Sequence, residues 1–366
     1  GSADGGTDYS GSYTFFGGDT PSTAAFTFPN TSASLAAGVP PGPWKFVVND
    51  FAKECLTTPG CTDGGTDTNS YDMSVLLRPL PAGSNLDVSF YIVADMSTTG
   101  GQPLTAANAA TDPSVQQMVR TYKALFLNGI LGNNKPGITV RNVNFFDVSA
   151  ADRARFGTNI SATDTGPCDE LNQMFLLSGA HPGNTVNIFL VQSLRFAAQG
   201  GGTIVGIDGT IPGPSSLNGT VHSGAVVSAA DIFAPTLQAS CKAGALNIAS
   251  CGPDRVAYIA AHETGHFLGL FHTTEQNGSD FDPISDTGKC PCVPCAGSST
   301  VQANCADNPG PNAPFLAADQ CFQSGTGAVC TGGDNLMFWQ LEPGVSTGAL
   351  SPQQAQVMKL NPALVP

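Results

Sequence analysis

The spacing of apolar residues changes at about residue 82 of the chain. Before that point, short aromatic and β-branched runs are separated by glycine- and proline-rich turns, a pattern typical of strands. After it, strand-like runs alternate with segments whose apolar residues recur every three or four positions, as on one face of a helix. We therefore predict an α+β fold, with a small β-rich domain over residues 1–82 and a larger domain over residues 83–366.

The larger domain is predicted to carry alternating strands and helices up to residue 272. In the first long helix, Val115, Met118, Tyr122 and Leu125 fall on one face and predict a buried stripe. Another helix is expected to begin at Pro253, since proline lacks only an N–H that the first turn does not need. The predicted strands are Leu86–Ala94, Ile138–Val148, Val186–Val191, Gly202–Asp208 and His222–Ser228, and the earlier helices are Pro113–Leu131 and Asp169–Leu177.

Composition argues against nucleic-acid binding and favours an extracellular location. The net charge is −14 with only 14 Lys and Arg residues, so a basic surface for DNA or RNA is not expected. Charged residues make up 11% of the chain, against about 25% in typical soluble proteins. No apolar run reaches the roughly 20 residues that cross a membrane. We expect a secreted or cell-surface monomer without a transmembrane segment.

The 11 cysteines also favour an oxidising compartment. Cys241 and Cys251 flank a short loop and are expected to form a disulfide. Cys55 and Cys61 could close another loop, which leaves Cys168 without an obvious partner. For the remaining cysteines we favour a disulfide-stapled region over a second metal site; they are Cys290, Cys292, Cys295, Cys305, Cys321 and Cys330.

One segment, His-Glu-Thr-Gly-His-Phe-Leu-Gly-Leu-Phe-His, carries the candidate chemistry and holds three of the five histidines. On a helix, His262 and His266 lie one turn apart on the same face, where two imidazoles can bind one zinc ion. Gly269 allows a left-handed turn that brings in His272 as a third ligand. Three protein ligands leave the fourth position open for water, as in catalytic zinc sites, and Glu263 can act as general base.

The alternative interpretation is a buried amphipathic helix whose histidines are only hydrogen-bonded. A random chain of this composition would contain the five fixed positions of the pattern about once in a million cases, which favours the zinc site. Two further histidines, His181 and His222, are expected in loops or at the surface.

The pattern H-E-x-x-H-x-x-G-x-x-H resembles the metzincin clan of zinc endopeptidases. A second hallmark of that clan is a tight turn with a methionine beneath the zinc site, and the segment Asp334–Trp339 containing Met337 is similar to it. The resemblance implies a metzincin-like catalytic domain. Residues 83–272 would form an upper subdomain with a twisted mixed sheet, a backing helix and the zinc helix, and residues 273–366 a Cys-rich lower subdomain.

Within the clan, the chain is most similar to the pappalysin branch. Thr273 follows the third histidine, Asp282–Thr287 resembles that branch's acidic segment, and Leu350–Met358 resembles its C-terminal helix. One departure is Trp339, because several metzincins have at this position a tyrosine that helps to stabilise the oxyanion. An indole N–H can donate a hydrogen bond but cannot ligate zinc.

The resemblance implies hydrolysis of peptide bonds in a protein or peptide substrate. Zinc would acidify a water and polarise the scissile carbonyl, while Glu263 would take the proton and pass it to the leaving amine. The substrate is expected to add as an extended strand to an exposed sheet edge. The predicted edge consists of Ser223, Gly224, Ala225, Val226 and Val227.

Further alternatives concern calcium, other substrates and the N-terminal domain. Asp280, Asp282 and Asp286 could gather around Ca²⁺, as the branch resemblance suggests, or form a solvated acidic loop. A zinc hydrolase of a non-peptide bond would have a closed pocket, and an adhesion protein would rely on the N-terminal domain. That domain could also be a pro-segment, with Cys55, Cys61 or an Asp reaching the zinc.

Overall fold

The computed structural model describes residue 25 and residues 28–38, 83–127, 136–162, 169–195, 205–238, 240–242, 245–275, 280–289, 292–293, 316–317, 332–341 and 348–366. The predicted β-rich domain lies almost wholly outside these residues. So do Cys55, Cys61, Cys168 and every cysteine of the C-terminal cluster except Cys292. The predictions made for them stay predictions.

A five-stranded mixed sheet forms the centre of the fold. Its strands are β1 (Asn85–Ile92), β2 (Thr139–Asp147), β4 (Val186–Val191), β6 (Gly206–Asp208) and β7 (Ala225–Ser228), and two small sheets pair β3 (Asn159–Ser161) with β5 (Ser193–Arg195) and β8 (Cys292–Val293) with β9 (Leu316–Ala317). The strand order in the large sheet is β2-β1-β4-β7-β6. All neighbours are parallel except β6, which is antiparallel to β7. The α+β class predicted from the sequence is confirmed.

Helices cover both faces of this sheet. They are α1 (Ser32–Ala37), α2 (Ala106–Ala109), α3 (Pro113–Leu127), α4 (Ala150–Phe156), α5 (Glu170–Phe175), α6 (Gly252–Phe267) and α7 (Pro352–Leu360), with 3₁₀ turns over Leu176–Ala180, Ala230–Phe233 and Pro235–Leu237. Within the described ranges, no helix combines the length and the apolar character needed to cross a membrane.

Strand β1 shows how the sheet buries two faces. Because successive side chains of a strand point to opposite sides, Phe90 and Ile92 join the main apolar cluster with α3 and α6. Tyr91, between them, joins a second cluster with Phe156 of α4 and Phe175 of α5. A strand buried on both faces has the nearly continuous apolar sequence that is typical of a parallel sheet.

Polar contacts inside the core fix α6 against α3. The Tyr122 hydroxyl lies 2.8 Å from the hydroxyl of Thr264. Asp254 is fully buried in the first turn of α6, where it accepts hydrogen bonds from Thr121 at 2.6 Å and Gln117 at 2.8 Å. Because a buried carboxylate is costly without partners, these bonds favour one relative position of the two helices. Helix α6 is therefore a fixed support for its side chains.

The described part of the N-terminal region contains α1, in a domain that the sequence predicts to be β-rich. Thr31 caps this helix, and the Thr31 and Ser34 side chains form a reciprocal capping box, which is a local signal for a helix start. The helix contacts the C-terminal part of the chain, where the Ser285 amide donates to the Ser32 hydroxyl at 2.7 Å.

Candidate metal centre

Helix α6 and the turn after it bring the three histidines of the motif together. His262 and His266 lie one helical turn apart on α6, which ends at Phe267. Gly269 then adopts a φ of 103°, in the left-handed region that the sequence predicts for it. This turn reverses the chain and places His272 opposite the other two rings.

The ring nitrogens that face one another are within contact distance. The Nε2 atom of His262 is 3.1 Å from that of His266 and 3.2 Å from that of His272, and the third separation is 3.1 Å. In the described part of the chain, no other set of three or more His, Cys, Asp or Glu ligand atoms lies within 4.8 Å of one another. The three histidines could hold a metal ion, as their spacing predicts.

Each of the three rings has an oxygen partner at its other nitrogen. The Nδ1 atom of His262 lies 2.6 Å from the carbonyl oxygen of Leu336, and that of His266 lies 2.8 Å from the carbonyl oxygen of Leu270. Because a carbonyl oxygen can only accept, these Nδ1 atoms carry the protons and the Nε2 atoms keep their lone pairs. Lone pairs converging at this distance repel one another unless a cation lies among them.

Burial keeps the two helical histidines neutral. Desolvation, with a smaller contribution from the nearby His272, lowers the pKa of His262 to about 3 and that of His266 well below its usual value. The hydrogen bond to Leu336 opposes this shift for His262 but does not cancel it. Neutral imidazole is the form that ligates metals, so no proton competes for these two ligands near neutral pH.

Glu263 is buried against strand β6. Only 5% of its surface is exposed, and a Cβ atom added to Gly206 would lie 2.4 Å from the Glu263 Oε1 atom. Burial raises the pKa of Glu263 to about 8, and a hydrogen bond from the backbone amide of Asp208 offsets only part of that effect. A cation held by the histidines would lower this pKa, because it favours the carboxylate.

Asp208 is a second buried carboxyl group near Glu263. Both carboxyl oxygens are inaccessible, and no described residue gives them a hydrogen bond of normal geometry. Desolvation, followed by repulsion from Glu263, raises its pKa well above the usual value, while the amides of Thr210 and Gly209 lie close enough to oppose this weakly. Asp208 was not predicted from the sequence, where its only signal was an acidic residue at the end of a predicted strand.

This buried acid makes the stability of the metal-free protein depend on pH. Because the pKa of Asp208 is higher in the folded than in the unfolded protein, its ionisation lowers the free energy of unfolding. Its contribution to that free energy is greatest below the unfolded pKa and is lost as the pH rises through the folded pKa. Asp208→Asn should therefore raise the melting temperature of the metal-free protein at about pH 8 by more than at about pH 5, measured by calorimetry.

Asp87→Asn provides a control of opposite sign. The hydrogen bond from Arg141 is the main reason why the pKa of Asp87 lies below its usual value, so the stability it contributes is present above its unfolded pKa and lost at lower pH. Its removal should lower the melting temperature at about pH 8. If Asp208→Asn behaved in the same way, Asp208 would be stabilising as a carboxylate and the assigned sign would be wrong.

The prediction that residues 223–227 form an edge of the sheet is wrong. Ala225, Val226 and Val227 belong to β7, which pairs with β4 on one side and with β6 on the other, while Ser223 and Gly224 precede the strand. The run is buried on both faces, as its continuous apolar sequence would require. The edge strand beside Glu263 is instead β6.

Met337 lies directly beneath α6. It is fully buried, and a Cβ atom added to Gly265 would lie 2.4 Å from its sulfur, so the glycine between the two helical histidines leaves room for it. The Met337 amide donates to the Asn335 side chain at 2.8 Å, and its carbonyl oxygen accepts from the Thr273 amide at 3.0 Å. The turn therefore supports both the helix and the segment after His272.

The acidic residues of the candidate calcium loop do not form a common group. Asp282 is buried, which raises its pKa to about 6, and it accepts a hydrogen bond from the Thr287 hydroxyl at 2.7 Å. Asp286 accepts from the Gln353 amide at the start of α7, while Asp280 is exposed. Their oxygens are not within 4.8 Å of one another as a set of three. Calcium binding stays a prediction.

The remaining candidates have separate positions. The Trp339 indole N–H is buried and meets no acceptor among the residues that the structure describes. His181 stacks on Phe146 with ring centroids 3.8 Å apart, and His222 lies in a turn but is buried rather than exposed. The predicted disulfide between Cys241 and Cys251 is confirmed, and it ends at the residue that precedes α6.

Sequence reasoning also missed Glu275, whose carboxylate lies 2.8 Å from the Nδ1 atom of His272. Its only signal was an acidic residue three positions after the third histidine.

The sequence matches no protein-family model and no curated protein. The candidate site is therefore interpreted from its own geometry.

Proposed function

We propose that this protein is a zinc-dependent endopeptidase of the metzincin type, most similar to the pappalysin branch. The observation that carries the proposal is the cluster of three histidine Nε2 atoms within 3.2 Å of one another, on the same helix and turn as the buried Glu263. Metal ligands and a general base are the two parts that hydrolysis by this chemistry requires.

The ligand set fits zinc. Zinc–nitrogen bonds of about 2.0–2.1 Å in tetrahedral geometry place neighbouring nitrogens roughly 3.3 Å apart. The separations of 3.1–3.2 Å between the histidine nitrogens are close to that value. Neutral imidazole suits zinc, whereas calcium and magnesium prefer oxygen ligands. Three histidines also leave the fourth tetrahedral position for water or substrate, which favours a catalytic role over a structural one.

Zinc, when bound, would supply a Lewis acid that acidifies water and polarises the scissile carbonyl. Glu263 would take the proton from the attacking water and deliver it to the leaving amine. Its carboxylate is oriented for this by the Asp208 amide and by the space that Gly206 leaves open. Burial of Glu263 keeps bulk water away from the proton that it transfers.

Strand β6 offers the main-chain groups that an extended peptide needs. Val205 and Gly209 form hydrogen bonds of 2.8 and 2.9 Å with the β7 side. In an antiparallel ladder, bonded residues alternate with residues whose N–H and C=O groups point the other way. Gly206 therefore presents both groups at the outer edge, and Asp208 presents its C=O there, while the Asp208 N–H donates to Glu263. This edge supports a peptide substrate rather than one that requires a closed pocket.

Two further observations support the type and location of the enzyme. Met337 packs beneath the helix that carries the histidines, as the metzincin resemblance implies for a methionine turn. The disulfide between Cys241 and Cys251, together with the low content of charged residues, favours a secreted or cell-surface protein. A monomer acting on protein or peptide substrates is the simplest form of the proposal.

The test is cleavage of a peptide library by the purified protein, with products mapped by mass spectrometry. We expect internal cleavage that a zinc chelator abolishes and that stoichiometric zinc restores. Calcium added to the chelated protein serves as the control for nonspecific ion effects and should not restore cleavage. A protein that binds zinc but leaves every peptide intact, also after removal of any N-terminal segment, would contradict the peptidase proposal.

A further inference from the structure

The three candidate ligands differ in the hydrogen-bond partner of the Nδ1 atom of each ring. His262 and His266 donate to backbone carbonyl groups, whereas His272 faces the side chain of Glu275. The first two partners are fixed by the fold of the main chain. The third is a carboxylate, which brings a charge to the site and can be removed by substitution.

We infer that Glu275 is a positioning residue for the metal centre, which holds His272 in the orientation and tautomer that ligate the ion. The inference deepens the metal-binding part of the proposed function and rests on it. Glu275 itself is not among the ligand atoms that meet at the centre. It would act through the imidazole of His272, by the contact of 2.8 Å between its Oε2 atom and the ring Nδ1 atom.

His272 needs such a partner more than the helical ligands do. His262 and His266 project from a buried helix, whereas His272 lies after the helix has ended, and its side chain is 24% exposed. The backbone of the helix therefore does not fix its ring. A neutral imidazole carries one proton, and an acceptor at Nδ1 directs that proton away from Nε2, so the lone pair faces the metal.

The main chain places Glu275 for this contact. The Thr273 amide donates to the Met337 carbonyl oxygen at 3.0 Å, which ties the segment to the methionine turn. Thr274 pairs with Phe281, and the Glu275 amide donates to the Asp280 carbonyl oxygen at 2.8 Å. The backbone from Thr273 to Glu275 is thus anchored, and the side chain does not have to be ordered by the histidine alone.

A carboxylate should do more than a carbonyl oxygen in this position. Hydrogen bonds to an ionised acceptor are stronger than those between neutral groups. By accepting from Nδ1–H, the carboxylate polarises that bond and increases the electron density of the ring, which makes the opposite nitrogen a better ligand. Partners of this kind typically change metal affinity by about 10–100-fold. The negative charge of Glu275 further favours a dication over an empty site.

The experiment compares zinc affinity across three variants of the full chain, by competition with a chromophoric chelator. Glu275→Ala removes the acceptor, Glu275→Gln keeps the shape without the charge, and Glu170→Gln is the matched control. Glu170 likewise contacts a nitrogen-bearing side chain, that of Arg195, and is 37% exposed against 39% for Glu275. The cobalt-loaded proteins are compared by visible absorption, and the metal-free proteins by melting temperature.

We expect Glu275→Ala to weaken zinc binding by about 10–100-fold and to change the cobalt spectrum. Glu275→Gln should lose less, and the metal-free melting temperatures should stay close to that of the wild type. Glu170→Gln should leave affinity and spectrum unchanged. A zinc affinity of Glu275→Ala within twofold of that of the wild type would overturn the inference. A loss of zinc affinity accompanied by an equal loss of stability in the metal-free protein would also overturn it.

The same measurements separate this inference from the peptidase proposal. If the wild type binds zinc in a Glu275-dependent way but cleaves no peptide, the positioning role stands and the peptidase proposal fails. If peptides are cleaved and zinc affinity does not depend on Glu275, the reverse holds. A wild type that binds neither zinc nor cobalt would overturn both.

Discussion

Glu263→Gln should lower kcat/KM for a cleaved peptide by about 10²–10⁴-fold while the protein still binds stoichiometric zinc. Glutamine has nearly the same shape as glutamate but cannot accept a proton from water. The Glu263 side chain is buried against β6, and none of its atoms belongs to the group of three histidine nitrogens at the candidate metal centre. The substitution should therefore leave the candidate ligands in place. Zinc content and peptide cleavage are measured on the same preparation.

Glu170→Gln is the control for this change as well, because it replaces a glutamate on α5 that contacts Arg195 rather than the site. It should cleave at the wild-type rate. Wild-type cleavage by a zinc-loaded Glu263→Gln protein would show that another group accepts the proton. Loss of zinc together with activity would instead show that Glu263 supports the ligands, and the general-base role would lose its basis.

The cluster of three histidines could be predicted because its determinants are local. Residues four apart on a helix share a face whatever the rest of the fold does, and a glycine is the residue that most readily takes the left-handed conformation after it. The spacing of His262, His266 and His272 was therefore enough to predict that their side chains meet. The buried face of α3 was equally readable, since Val115, Met118, Tyr122 and Leu125 recur with the period of a helix.

The order of strands at the edge of the large sheet could not be predicted in the same way. Which strand is outermost depends on pairing between segments far apart in sequence, and periodicity says nothing about it. The continuous apolar run Ala225–Val227 was itself a sign of an internal strand, because an edge tends to be shorter and more polar. The short strand with Gly206 and Asp208 has those edge features.

Asp208 and Glu275 were missed for a related reason. Each is a single acidic residue in a polar stretch, and its importance comes from a neighbour that only the folded chain provides. Asp208 meets Glu263 across the contact between β6 and α6, and Glu275 meets His272 across a turn. The spacing along the chain predicted the candidate ligands, whereas the positions of the two acidic residues depend on packing.

Gly206→Ala should reduce kcat/KM by at least about 10²-fold, because a misplacement of catalytic groups by about 1 Å has an effect of that size. The added methyl group would lie 2.4 Å from Oε1 of Glu263 and within 2.8 Å of two further atoms of that side chain. Either the carboxylate moves or β6 shifts outward, and both displace the base from the substrate edge. Overpacking of this kind also lowers stability by about 1–3 kcal/mol.

Gly100→Ala is the matched control, since its new methyl group would meet only the Thr98 hydroxyl, at 3.8 Å, in an exposed turn. It should keep wild-type activity. The three atoms nearest to the added methyl group all belong to Glu263, so the Gly206→Ala protein should bind zinc as the wild type does, which separates a displaced base from a lost metal. A folded, zinc-loaded Gly206→Ala protein with wild-type kcat/KM would mean that the close approach of β6 to Glu263 is not needed for catalysis, and the role of this edge in orienting the base would have to be abandoned.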